Sequence, residues 1–259
     1  MHLLAHGATY SQEKPWGKAI IKNEPWINPF IEVANRIGST YSQSAPLMDA
    51  IREAYQKRGK SQEESTGIIS NPSSKTIDLT YYLLEKGFIS HCCKIENDLK
   101  VNIHDQVDEQ TERIRKFLEG IWLEIFVYKT LCESKRFDDI RMEVSIKRKI
   151  SSGTEKTVKN EIDVVAMLNS RIAAISCKTE RILSGERDKR GEAKEALYEL
   201  DSLLQADLMG LYAKKILVSN QESFSDSLRD RADLSKIKLL NGTQLPDLVK
   251  KIKNALRNY

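Results

Sequence analysis

Residues 160–180 read NEIDVVAMLNSRIAAISCKTE, and they set a carboxylate and a lysine on two neighbouring stretches that are otherwise apolar. Taking a charge out of water costs several kcal/mol unless it is paired, so groups placed like this need partners. Side chains alternate along an extended strand, which puts Glu161, Asp163 and Val165 on one face and Ile162, Val164 and Ala166 on the other. On the next stretch Ile172, Ala174, Ser176 and Lys178 share a face, with Ala173, Ile175 and Cys177 opposite. A short LNSR turn pairs the two strands and brings Asp163 beside Ser176 and Lys178. Two alternatives stand: Asp163 and Lys178 form a structural ion pair, or both serve a bound ion.

A third group comes from a long helical stretch further up the chain. At about 100° per residue, Glu124 falls beside Phe117, Ile121 and Tyr128 on the margin of an apolar stripe, whereas Glu119 points away. Acids from a helix and a strand, converging with a lysine on the adjacent strand, suit a hard divalent cation, Mg²⁺ or Mn²⁺, and in-line attack on phosphate. In that chemistry carboxylates hold the ion, bound water becomes acidic, and the lysine positions the water or stabilises the developing charge.

In this order and spacing, Glu124, Asp163 and Lys178 resemble the PD-(D/E)xK nuclease superfamily. The closer likeness is to the nuclease domain of the CRISPR-associated CARF-linked nucleases, in LEGIWLEIFVY, NEIDVV, ISCKT and EALYELDSLLQADLMGLYAKKILVS, and it covers about residues 105–257. The resemblance implies a restriction-endonuclease-like fold, metal-dependent cleavage of DNA, RNA or both, and a winged-helix-like linker ahead of the nuclease. It also implies a homodimer and a place in prokaryotic antiviral defence. Glu124, Asp163 and Lys178 would be catalytic, with Glu124 and Asp163 as metal ligands.

The chain departs from the pattern twice. Ser176 stands where the superfamily usually has an acid, so Glu161, Ser176 itself or the Cys177 carbonyl would complete the metal shell. Such nucleases also generally begin with a Rossmann-like sensor for cyclic oligoadenylate, and residues 1–105 show no series of βα units to build one. That leaves a sensorless homologue, a fragment of a longer gene, or one subunit of a split system with a separate sensor subunit. The alternative function is a nucleic-acid-binding or regulatory protein whose nuclease-like domain is degenerate because of Ser176.

The loop RILSGERDKRGEAK follows the lysine strand, where a nucleic-acid backbone would pass. Glu186, Asp188 and Glu192 dilute its cations, and charge runs are usually solvated faces; Arg187, Lys189 and Arg190 are the expected phosphate contacts. Trp16 and Trp26 could stack on bases, although packing is the commoner fate of such residues. Cys177 reads as a small buried hydrophobe rather than a nucleophile, and none of the four histidines looks catalytic.

Positioning these groups takes two regions. In residues 1–105, Pro15, Pro25 and Pro29 with Trp16 and Trp26 predict irregular chain up to about residue 43. Ser44 is a candidate cap for a helix carrying Leu47, Met48, Ile51, Ala54 and Tyr55, stopped by Gly59. GKSQEESTG at 59–67 and SNPSS at 70–74 have loop compositions; TIDLTYYLLEKGFI predicts a second helix closed by Gly87, and ISHCCKIENDLKVNI a short hairpin. Together these make a small helical or winged-helix-like region.

Residues 106–259 begin with a helix over roughly 108–133, in which Ile114, Phe117, Leu118, Ile121, Trp122, Ile125 and Tyr128 form one apolar face. Strands follow at 140–150, 157–168 and 172–177, then a charged loop, a helix at about 191–209, the strand KKILVS and a closing helix near 244–257. The class is α/β, in the order α-β-β-β-α-β.

The bulk numbers narrow the partners less. A net charge of +4 and a pI near 8.7 permit an acidic partner such as nucleic acid without demanding one. Four cysteines without a CxxC pair signal neither zinc nor a disulfide framework, which fits a reducing interior. The chain starts without a basic head and apolar leader, and no run approaches the roughly 18 apolar residues of a membrane span, so a cytoplasmic location is expected.

Overall fold

A computed structural model describes residues 8–11, 15–57, 65–149, 155–179, 197–198, 200–201 and 213–257. The chain divides into two compact units, one of Pro29–Trp122 and one of Met1–Asn28 with Leu123–Tyr259. No helix among the described residues is long and apolar enough to cross a membrane.

The first 43 residues are regular where irregular chain was expected: strand β1 (Ala8–Ser11), helix α1 (Pro15–Lys22), a 3-10 turn (Pro25–Ile27) and helix α2 (Asn28–Ser39) lead into α3 (Tyr41–Lys57). Pro15 and Pro25 open their helical turns and Pro29 is second in its own, positions where a missing N–H breaks no helical hydrogen bond. Trp16 is buried and packs edge-on against Trp26, with ring centroids 5.4 Å apart. Ser44 does not begin α3. It sits one turn inside, its hydroxyl donating to the Ile37 carbonyl at 3.0 Å.

Strand β2 (Thr66–Ser70) replaces an expected loop. Its composition misleads because Gly67 is a packing requirement: a Cβ there would lie 2.2 Å from the Ala50 carbonyl oxygen of α3. Helix α4 (Ser74–Glu85) starts at Ser73, whose hydroxyl accepts the Thr76 N–H at 3.1 Å, and Gly87 closes the turn beyond it at φ 73°. Strands β3 (His91–Ile95) and β4 (Asp98–Asn102) form the expected hairpin and complete a sheet in the order β2-β4-β3. Phe30, Phe88 and Phe117 meet in the core of this unit with centroids 5.0–5.4 Å apart.

The long helix is α5 (Glu109–Lys116), a π turn (Phe117–Ile121) and α6 (Trp122–Glu133). Asp108 caps it, accepting the Thr111 N–H at 2.7 Å. The single apolar face expected here is too narrow for α6, where Leu123, Ile125, Phe126, Val127 and Leu131 are all buried.

Next come β5 (Asp139–Lys149), β6 (Glu155–Leu168), β7 (Arg171–Lys178), β8 (Lys214–Ser219), helix α7 (Asp226–Leu234), β9 (Ile237–Leu240) and helix α8 (Leu248–Arg257). The sheet runs β1-β5-β6-β7-β8-β9, antiparallel as far as β7 and parallel from β7 through β9. This is a mixed α/β architecture, as expected. The helix expected over 191–209 lies mostly outside the described residues, but positions 197, 198, 200 and 201 are helical. Leu197 and Leu200 join Ile162, Val165, Ala174, Leu217 and Leu228 in the core of this unit. The α7–β9 pair has no counterpart in the sequence reading.

Candidate active site

The β6–β7 hairpin builds the centre of the site. Asn169 and Ser170, at φ 50° and 63°, make a two-residue turn of the kind whose twist suits antiparallel strands. That turn sets Leu168 opposite Arg171 and Val164 opposite Ile175. One step further the same register places Asp163 across from Ser176. There the Asp163 carboxylate accepts the Cys177 backbone N–H at 2.6 Å and the Ser176 hydroxyl at 3.2 Å. A side chain has taken over a main-chain role at the point where the two strands stop pairing.

Asp163 is half-buried, and desolvation raises its carboxyl pKa above the ordinary value. The Cys177 N–H, the Lys178 charge and the Ser176 hydroxyl pull the other way, while Glu161 adds to the rise. Cys177 is buried at 8% exposure, and its thiol pKa is pushed well up, first by burial and then by the charges of Asp163 and Glu124, with Lys178 opposing. A thiol held protonated in this way is a poor nucleophile. Glu124 of α6 is half-buried, and its charge is one of those that raise the Cys177 thiol pKa. Glu119 is engaged elsewhere, by Arg115 at 2.6 Å.

Glu161, Ser176 and Lys178 thus act on Asp163, and Asp163, Glu124 and Lys178 act on the Cys177 thiol. Among the described residues no group of three or more His, Cys, Asp and Glu side chains is disposed to hold a metal ion. Arg187, Lys189 and Arg190 lie outside the described residues.

The sequence reading missed Glu143. It is 3% exposed, its backbone is left-handed at φ 53°, and its carboxylate accepts the Gly17 N–H in the first turn of α1 at 2.6 Å. Because Met142 pairs with Val164 and Val144 with Ile162, Glu143 stands opposite Asp163. Its signal is that it is the one acid interleaved with the apolar run Ile140, Met142, Val144, Ile146. Connecting it to Asp163 requires the β5–β6 register, which shifts between Ser145 and Lys147 and is not written in the alternation.

Known structures share this fold. Protein VC1899 from Vibrio cholerae superposes with a TM-score of 0.58 at 21% identity, covering 97% of this chain and 59% of that one. Can2 from Sulfobacillus thermosulfidooxidans, solved in complex with cyclic tetra-adenylate, superposes with a TM-score of 0.50 at 18% identity, covering 93% of this chain and 57% of Can2. The chain therefore spans somewhat under three fifths of the length of these relatives. No curated protein is similar enough to match it. Residues 110–259, more than half of the chain, match the family described as Card1-like, endonuclease domain, and the chain belongs to that family.

Proposed function

We propose that this protein is a metal-dependent endonuclease of PD-(D/E)xK type that hydrolyses phosphodiester bonds of DNA, RNA or both. The observation that supports it best is the Asp163 carboxylate held at 2.6 Å by the Cys177 N–H, with Lys178 and Glu161 acting on the same group and Glu124 on its neighbour. Carboxylate oxygens of Asp163, Glu124 and Glu161, the Ser176 hydroxyl and the Cys177 carbonyl are hard donors of the kind Mg²⁺ and Mn²⁺ take. Mg²⁺ needs only one or two carboxylates beside its waters. The desolvation that raises the Asp163 pKa is also the electrostatic cost that a bound cation offsets.

In this reading Glu124 and Asp163 bind the ion, which supplies an acidified water and neutralises phosphate charge. The Cys177 N–H fixes which way Asp163 points. Glu161, Ser176 or the Cys177 carbonyl completes the set of donors. Lys178 orients the attacking water or stabilises charge on the phosphoryl oxygens. Residues 106–259 carry the nuclease chemistry and residues 1–105 the winged-helix-like region, with β1 and α1 at the start of the chain joined to the nuclease sheet. The protein works as a cytoplasmic homodimer in CRISPR-linked antiviral defence, with nucleic acid as substrate.

Incubation with Mn²⁺ and plasmid, single-stranded DNA or RNA tests the reading. At least one substrate is cut, and EDTA stops the reaction. Ser176 favours the alternative, a nucleic-acid-binding or regulatory protein, because a hydroxyl replaces an acid and donates to Asp163. On that alternative all three substrates stay intact.

A further inference from the structure

At the far end of β7 from Lys178, a groove of about 410 Å³ is lined by Arg136, Lys250, Lys253 and Arg257, with Asp247 as its one acid. Three of these cations come from α8, LVKKIKNALR, which turns Leu248, Ile252 and Leu256 into the core and carries no acid at all. Lys250, Lys253 and Arg257 fall at intervals of three and four residues, so they share one side of the helix. Arg136 completes the lining from the loop before β5. Arg171, the first residue of β7, donates to the carbonyls of Leu256 at 2.7 Å and Arg257 at 3.1 Å, which ties the groove to the start of that strand. The Asp138 N–H, two residues after Arg136, donates to the Met167 carbonyl at 2.8 Å near the end of β6. Among the described residues none of the four cations has an ion-pair partner.

Solvated lysines on a helix normally alternate with acids, which neutralise their mutual repulsion. Four cations around a concave surface with a single acid leave a positive field that a polyanion reduces. We propose that this groove is a second, non-catalytic contact for the sugar-phosphate backbone of nucleic acid. The inference rests on the nucleic-acid reading above and places the contact away from the reacting phosphate. The seven steps along β7 from Arg171, which is bonded to the end of α8 beside the groove, to Lys178 span about 23 Å at about 3.3 Å each. A strand at about 3.4 Å per nucleotide crosses that interval in about seven nucleotides. Contacts of this kind hold and orient a long substrate without reading bases.

The experiment is equilibrium binding in EDTA of a fluorescent single-stranded DNA, a duplex DNA and an RNA over a series of salt concentrations. It compares the wild-type chain with the triple variant Lys250→Glu, Lys253→Glu, Arg257→Glu. Loss of three phosphate contacts lowers the slope of log K against log salt by about 2 to 3 and weakens binding by about tenfold or more at moderate salt. The neutral triple variant Lys250→Gln, Lys253→Gln, Arg257→Gln shows the same change in smaller measure, and unchanged thermal unfolding excludes loss of fold as the cause. Where the protein cleaves, the triple variants raise KM on long substrates and leave kcat unchanged. Equal affinity and slope for wild type and both variants overturn the inference, as does a wild-type chain that binds none of the three probes. A salt-dependent loss of binding in the variants, from a wild-type chain that cuts nothing, leaves the groove standing and removes the nuclease reading instead.

Discussion

The Asp163 carboxylate accepts the Cys177 backbone N–H at 2.6 Å, so a strand-to-strand main-chain bond is replaced by a side-chain acceptor at the point where β6 and β7 part. The acid is thereby fixed in direction while its charge is only partly compensated.

The pH dependence of stability follows from the raised Asp163 pKa. Between the ordinary Asp value of about 4 and the higher folded value, the folded chain binds more proton than the unfolded one, so this residue's contribution to stability falls as pH rises through that window. Asp163→Asn removes the buried charge and keeps an oxygen to accept the Cys177 N–H. In EDTA its melting temperature should equal or exceed that of wild type near neutral pH, and the gap should close as pH falls to about 4. A variant clearly less stable than wild type at neutral pH would show that the charge is a net stabiliser.

Ligand linkage gives the complementary result. A cation bound only by the folded state raises stability by about 2.7 kcal/mol at a hundredfold excess over its Kd. Mn²⁺ should therefore raise the melting temperature of wild type and have little effect on Asp163→Asn. Ser176→Asp, which adds the acid that the superfamily pattern carries, should tighten Mn²⁺ binding in calorimetry. Unchanged affinity would mean that position 176 does not face the ion.

Cys177 contributes through its backbone. With its thiol pKa pushed well up, it should resist alkylation in the native chain near neutral pH and react only on unfolding. Cys177→Ala keeps both the N–H and the carbonyl and should retain cleavage within a few-fold. Loss of activity in that variant, with its fold intact, would assign the thiol a direct role.

Glu143 joins the N-terminal segment to β5, the strand paired with the one that carries Asp163. Glu143→Ala leaves the Gly17 N–H without its acceptor and should cost about 1–3 kcal/mol in urea unfolding. Glu143→Gln retains an acceptor and should cost less. Equal losses in the two variants would show that the charge, rather than the hydrogen bond, holds this contact.

Much of this was legible because local rules decided it. The alternation in NEIDVV and ISCK, with the Asn169–Ser170 turn, was enough to place Asp163 by Ser176, as the 3.2 Å contact shows. Other features depend on partners distant in sequence. Gly67 reads as loop until α3 is seen 2.2 Å from where its Cβ would be. Pro15, Pro25 and Pro29 read as breakers although they sit in first turns, where proline is tolerated. Glu143 is singled out only by register and a left-handed backbone, which set it against Asp163 and α1. The π turn at Phe117–Ile121 is likewise invisible to a helical wheel of constant pitch.

The central claim is tested most directly by measuring Mn²⁺-dependent cleavage of plasmid, single-stranded DNA and RNA by wild type and Lys178→Ala side by side, with nucleic-acid binding followed in parallel. Wild type should cut at least one substrate, and Lys178→Ala should lose about 10²–10³ in rate while still binding. A wild-type chain that leaves all three uncut, or a Lys178→Ala chain that cuts as fast as wild type, would contradict it.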